Sequence, residues 1–355
     1  MVLGRSLPLG MGAWRLLLAV LVVASHLWEP MPQGYAAYAV WGFYVLSGFL
    51  MTYVLNLKYG FSPQGIMAYA YNRVLRIFPG YYVALLIGIA TLLAVGRHGI
   101  RLTDLNPEFY MPEGRFWLNP LTNLSAFRFT GLPVPVSNAL AIEVTAYLLM
   151  PLLAMSRAAA LLAAIMSSIL AIGYFGLDTS TFAQRYAFLM PCMLAFACGS
   201  LTCHFREKLT VLEAPAISLA VWMLHGGLWI WFPYWPWTYG LYVSLPLSSW
   251  VVISLFSLRT GGLDRWLGDL SYPVYLLHTT VAAWFWQSFG HKRTLMLLLV
   301  SSATTFVLSA LIVGCVERPV QRVKFGALRR PALQGAQLPK ILPNAGLPSV
   351  PADRG

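Results

Sequence analysis

Charge is what this sequence has least of: Asp, Glu, Lys and Arg together make up 10% of its 355 residues, against 58% apolar or aromatic residues. A soluble globular domain carries about a quarter charged residues, so that class is excluded and lipid is the expected solvent. Cysteine is scarce too. Cys192, Cys198, Cys203 and Cys315 show no CxxC spacing, which argues against a disulfide framework or a metal centre, and they read as packing residues. Acidic residues number 12 against 24 basic ones, a formal charge of +12. In a soluble chain that excess would point to nucleic acid. Here the Lys and Arg residues flank apolar runs in short loops, so the excess is topological and no nucleic-acid partner is expected. No internal repeat relates the two halves.

What the chain does have is apolar runs close to the length that spans roughly 30 Å of hydrocarbon. About ten fit, at 11–27, 35–55, 74–95, 138–155, 158–176, 186–203, 210–231, 239–258, 270–289 and 294–316. The fold class read from them is all-α, a polytopic membrane helix bundle. The first run carries Arg15 and no small-residue cleavage site, so it reads as a retained helix. With the N-terminus inside, Lys58, Arg73, Arg76, Arg157, Arg206, Lys208, Arg259, Arg265 and the run from Arg318 to Arg330 all fall on the cytoplasmic side. The positive-inside rule therefore favours two cytoplasmic termini. Residues 1–330 read as one membrane domain and the Pro-, Gly- and Ala-rich residues 331–355 as a disordered cytoplasmic tail. The loop at 96–137, with Asp104, Glu108, Glu113 and Trp117, is long for a turn. It reads either as a cap that meets a polar substrate or as a plain cover.

Ionisable residues inside apolar spans are costly unless they face a partner or a watery cavity. Arg15 and His26 are eleven positions apart, which returns them to one helix face roughly 16 Å apart along the axis, where both can line one channel. Glu29 follows His26 by three and is placed to orient its imidazole. Glu143 and Tyr147, one turn apart, either form a polar pocket or pack helices together. Arg73 and Arg76 at the start of the third span suit phosphate groups, or serve as topogenic charges. His278 on the ninth span and Glu317 at the last helix end complete the set.

Five stretches bring these residues into one pattern: Arg15 with His26, FYVLSGFL at 43–50, RVLRIFPGYY at 73–82, IEVTAYLLMP at 142–151 and LSYPVYLLH at 270–278. Glu317-Arg318-Pro319 is a weaker sixth. In order and spacing the chain resembles the acyltransferase-3 family of integral membrane carbohydrate O-acyltransferases over about 15–319. It departs from the family where Asn138-Ala139-Leu140 replaces a Trp-Ser-Leu lead into the glutamate, and where Tyr44 is the second aromatic of an FFxxSG pattern. The resemblance implies a transferase with acyl-CoA, chiefly acetyl-CoA, as cytoplasmic co-substrate. No bound cofactor is implied. The implied acceptor is a hydroxyl of an exopolysaccharide, lipopolysaccharide or lipid-linked glycan reached from the far side of a bacterial cytoplasmic membrane.

Thioester-to-alcohol transfer needs a base and oxyanion stabilisation. The expected assignment is His26 as base, Glu29 or Glu143 orienting it, Arg73 and Arg76 on the CoA phosphates, and Arg15 on the donor or the oxyanion. Ser47-Gly48 is expected to let the acyl chain or thioester approach the backbone, and Tyr147 and His278 to complete the pocket. An acyl-histidine intermediate stays open beside direct transfer. The rival class is a secondary transporter of a glycan or amphipathic substrate, since Pro-interrupted spans with buried charge also mark transporters.

Overall fold

The computed structural model describes residues 10–32, 34–124, 131–258 and 260–322. Arg128, Arg259, the part of the basic run beyond 322 and the tail at 331–355 lie outside the described residues. Among the described residues there is no strand, and ten helices are 12 residues or longer. They are α1 Met11–Leu27, α2 Gly34–Val54, α3 Pro63–Gly96, α4 Ser137–Met155, α5 Arg157–Ser168, α6 Leu189–His204, α7 Pro215–Gly227, α8 Tyr239–Phe256, α9 Gly262–Phe285 and α10 Leu295–Ile312. Every apolar run read from the sequence overlaps one of them.

The runs differ in how they would meet a membrane. Six helices are long and apolar enough to cross one: α2, α3, α4, α5, α8 and α10, three of them extended by a π-type turn. Two more segments are bent, by 72° just before α6 and by 83° just before α7, which would bring the number to eight. The α1 helix, at 17 residues, is short. The 24-residue α9 carries Asp264, Arg265 and Asp269 in its first turns. The two carboxylates fit its position between α1, α3 and α10: Asp264 is buried against α1 and Asp269 reaches Arg76, while Arg265 is exposed.

The centre of the bundle is α2, packed against α1, α4, α6 and α8. Its sequence is apolar all round and 78% of its most apolar stretch is buried, as expected for a helix enclosed by other helices. Glycines set the closest approach. A Cβ on Gly48 would lie 2.1 Å from the Phe196 carbonyl oxygen, and one on Gly199 would lie 2.0 Å from that of Val45, so α2 and α6 pack backbone to backbone. Gly48 thus serves helix packing, a correction to its expected role beside the acyl chain.

The α1 and α9 helices run parallel in constant register. Asp264 at the start of α9 accepts hydrogen bonds from the amides of Gly10, Gly12 and Ala13 at 2.7, 3.1 and 2.9 Å. It thereby satisfies the orphan donors at the N-terminus of α1 and places a carboxylate at the positive end of the helix dipole. Fourteen residues on, the same offset brings His26 to His278. Arg185, fully buried, donates to the carbonyls of Asp178 and Trp237 and to the Thr181 and Tyr242 hydroxyls. It ties the bend before α6 to the aromatic stretch before α8.

Candidate active site

The α1 helix has the periodicity that puts Arg15 and His26 on one face, but they do not open into one channel. Arg15 lines a cavity of about 120 Å³ with Arg73, Arg76, Ser47, Glu143 and Tyr147. His26 lines a second cavity of about 160 Å³, with Asn106, Glu108 and Asn138. Val40, Ala139 and Tyr275 line both. The single channel is therefore corrected to two cavities across a shared wall, because the α2, α4 and α9 side chains close the groove between the two α1 residues. Tyr275 is pinned in that wall by its hydroxyl, which donates to the Val136 carbonyl at 2.8 Å.

In the first cavity Glu143 is the hub. Ser47 Oγ donates to Glu143 Oε1 at 2.5 Å and the Tyr147 hydroxyl donates to the same oxygen. Tyr147 also lies 3.3 Å from Ser47 Oγ. The i, i+4 pair read from the sequence is thus both a pocket and a packing contact, since Ser47 comes from α2.

The three arginines of this cavity are not equivalent. Arg76 is engaged by Glu317 at 3.0 Å and by Asp269 at 3.6 Å, so most of its charge is answered within the protein and it ties α3 to the ends of α9 and α10. The expected pairing of Arg73 and Arg76 as equal phosphate ligands is corrected accordingly. Arg73 Nε is enclosed without a hydrogen-bond partner, and no ion pair reaches Arg15 or Arg73 among the described residues. Those two are the cations left for an anionic ligand.

In the second cavity the partner of His26 is His278. Their Nδ1 and Nε2 atoms are 2.9 Å apart, with the rings tilted by only 26°. His278 Nδ1 in turn lies 2.7 Å from the Tyr275 carbonyl oxygen. A carbonyl can only accept, so Nδ1 of His278 carries the proton and its Nε2 is the acceptor. His26 must then donate from Nδ1, which leaves a lone pair on His26 Nε2.

Glu29 and Glu143 do not take that orienting place. The chain leaves the helix at Trp28, which is extended at φ −128° and ψ 112°, so the three-residue spacing no longer stacks Glu29 beside His26. Glu29 is exposed, and its amide donates to the Arg293 carbonyl at 2.9 Å. Glu143 belongs to the other cavity.

The long loop between α3 and α4 is more than a cover. Leu102, Leu105 and Phe109 are buried in an apolar cluster with Val23, Leu27 and Trp286. That anchoring carries Asn106 and Glu108 down to the His26 cavity. Burial pushes the Glu108 carboxyl up from its ordinary value.

A multi-pass helical membrane protein with a basic cavity and a histidine-bearing cavity on either side of one wall has the frame of a membrane-embedded group-transfer protein. The chain belongs to the acyltransferase-3 family, whose model, described as an acyltransferase domain, matches residues 9–314. It is 26% identical over 355 residues to the peptidoglycan O-acetyltransferase OatA of Listeria monocytogenes, an alignment covering 88% of this chain and 55% of that protein. It is 24% identical over 336 residues to the putative peptidoglycan O-acetyltransferase YrhL of Bacillus subtilis, covering 81% and 51%. The chain spans about half the length of these curated relatives. No solved structure matches it.

Proposed function

We propose that the protein is a membrane O-acyltransferase, chiefly an O-acetyltransferase, that carries an acyl group from cytoplasmic acyl-CoA to a hydroxyl of a glycan on the other side of the membrane. The observation that carries this reading is the hydrogen-bond chain from the Tyr275 carbonyl through His278 to His26. It leaves a lone pair on the imidazole of the second cavity, whereas the unpaired arginines stand in the first. Arg15 and Arg73 suit the phosphates and carbonyl of a CoA thioester, and the Ser47, Glu143 and Tyr147 cluster shapes the pocket around it. In the direct route the acyl end of the thioester reaches past the Val40, Ala139 and Tyr275 wall into the second cavity, where His26 Nε2 takes the proton of the acceptor hydroxyl as its oxygen attacks the thioester carbonyl. The new C–O bond forms, the C–S bond breaks, and the proton passes from His26 to the departing CoA thiolate.

The proposed topology has ten spans in residues 1–330, both termini cytoplasmic, α1 entering at Arg15 and reaching the far side at His26, in the cytoplasmic membrane of a bacterium. The proposed acceptor is a cell-envelope glycan such as exopolysaccharide, lipopolysaccharide or peptidoglycan, the last being the one in the relatives' names. Membrane vesicles given radiolabelled acetyl-CoA test the reading: label should enter glycan, and His26→Ala, inserted at normal abundance, should abolish it. Counterflow of unmodified substrate without label in glycan would instead identify a transporter.

A further inference from the structure

The two cavities differ in charge as well as place. Three arginines line the first. Among the described residues that line the second there is no Lys or Arg, and the polar side chains beside His26 are Asn106, Glu108 and Asn138. Arg293, whose Nη2 donates to the Leu105 carbonyl, is close by but not among the lining residues; with no cation in the lining and a carboxyl already there, the cavity disfavours a phosphate or carboxylate. The acyl-transfer reading so far gives these three residues no task.

Their placement is fixed from several directions. Asn106 Oδ1 accepts from the Glu108 amide at 2.9 Å, and the Glu108 carbonyl accepts from the Leu132 amide at 2.7 Å. One residue earlier, Arg293 Nη2 donates to the Leu105 carbonyl at 2.9 Å. Asn138 comes from the first turn of α4, and its Oδ1 is enclosed with no hydrogen-bond partner. An enclosed acceptor left unpaired is costly, and a ligand hydroxyl is the group that would satisfy it. The rings of Tyr186 and Tyr275 supply apolar wall. A pyranose has the matching surface: a rim of hydroxyls and C–H faces that lie against aromatic rings.

We propose that Glu108, Asn106 and Asn138 form the acceptor subsite and decide which hydroxyl His26 deprotonates, and that the residue they hold is an uncharged sugar. The carboxyl of Glu108 and the amides of Asn106 and Asn138 grip the hydroxyls that flank the reacting one. This assignment rests on the acyl-transfer reading and adds the acceptor's class to it.

The test compares cells making the wild-type chain, Glu108→Ala, Glu108→Gln, Asn138→Ala, His26→Ala or the loop control Glu113→Gln, at matched membrane abundance. O-acetyl groups on their envelope glycans are located by NMR and mass spectrometry, and acetyl-CoA binding to the purified proteins is measured by equilibrium dialysis. Glu108→Ala and Asn138→Ala should each lower acetylation tenfold or more, or move it to a neighbouring hydroxyl, with acetyl-CoA affinity within twofold of wild type. Glu108→Gln should retain most of the activity and Glu113→Gln all of it.

Unchanged amount and position of acetyl in both alanine variants would overturn the subsite. So would a loss of acetyl-CoA affinity as large as the loss of acetylation, or acetyl located on a uronic acid or a phosphorylated sugar. Acetylation that persists undiminished in His26→Ala, or is absent from wild type, would overturn the acyl-transfer reading itself and the subsite with it.

Discussion

His26 and His278 are 252 positions apart and share one hydrogen bond of 2.9 Å. Gly12 and Asp264 are also 252 apart and bonded, so the imidazole pair and the helix cap are two ends of one parallel contact between α1 and α9. The register that seats the start of α1 on Asp264 is the register that brings the two imidazoles together.

His278→Leu should therefore lower kcat by roughly 10² to 10⁴, the usual contribution of a positioned base, because His26 loses the acceptor that fixes its tautomer. KM for acetyl-CoA should stay near wild type, since the cavity proposed for the donor lies across the Tyr275 wall. His278→Gln, which can accept from His26 and donate to the Tyr275 carbonyl, should recover part of the loss. Steady-state kinetics of the three proteins in one detergent decide the matter. Equal losses in Leu and Gln variants would mean that His278 only fills space.

Arg73 and Arg76 should separate cleanly. Arg73, with Nε unpaired, is expected to act on the donor: Arg73→Ala should raise KM for acetyl-CoA by roughly tenfold to a hundredfold, the value of a charge-assisted hydrogen bond. Its thermal stability should barely change. Arg76→Ala removes the ion pair with the buried Glu317, and breaking a buried pair costs about 3–5 kcal/mol. Its main effect should be a lower melting temperature in detergent.

Periodicity and spacing reveal what lies on one helix and little of what meets across helices. The facing of Arg15 and His26 on α1 and of Glu143 and Tyr147 on α4 follows from residue separation alone. The imidazole pair and the Arg76 bonds to Asp269 and Glu317 join residues some 190 to 250 positions apart, and no local pattern encodes such a distance. The wall between the cavities is likewise built from three helices. Glu29 falls outside α1 because the helix ends two residues short of what a pairing with His26 requires. Asp264 carried a signal that could have found it, an acidic residue in the first turn of a bundle helix, although its three donors come from a segment more than 250 residues away.

The glycine pair between α2 and α6 gives a prediction about stability. Gly199→Ala would set a Cβ 2.0 Å from a backbone carbonyl, and Gly48→Ala one at 2.1 Å. Neither neighbour is a flexible side-chain end that can swing aside. Each change should cost about 1–3 kcal/mol by overpacking, read as a lower melting temperature, and the cost should exceed that of Gly314→Ala, where nothing lies within 4 Å of the new Cβ. Because Ser47 precedes Gly48, the Gly48 variant should also lose activity beyond its loss of stability.

Removing the cap on α1 should be felt at both cavities. Asp264 is 1% exposed and answers three amides at that helix end. Loss of a capping carboxylate costs about 0.5–2 kcal/mol, and leaving its donors enclosed adds to that. Asp264→Ala should therefore lower the melting temperature, with Asp264→Asn in between, because the amide keeps one acceptor oxygen but turns an NH2 toward another donor. Arg15 and His26 ride on the same short helix, so a shift at its start moves the donor contact and the base together. The expected kinetic signature is a fall in kcat accompanied by a rise in KM for acetyl-CoA, unlike His278→Leu, which should lower kcat alone. A variant that melts early yet keeps both constants would show that α9 holds α1 in place without the cap.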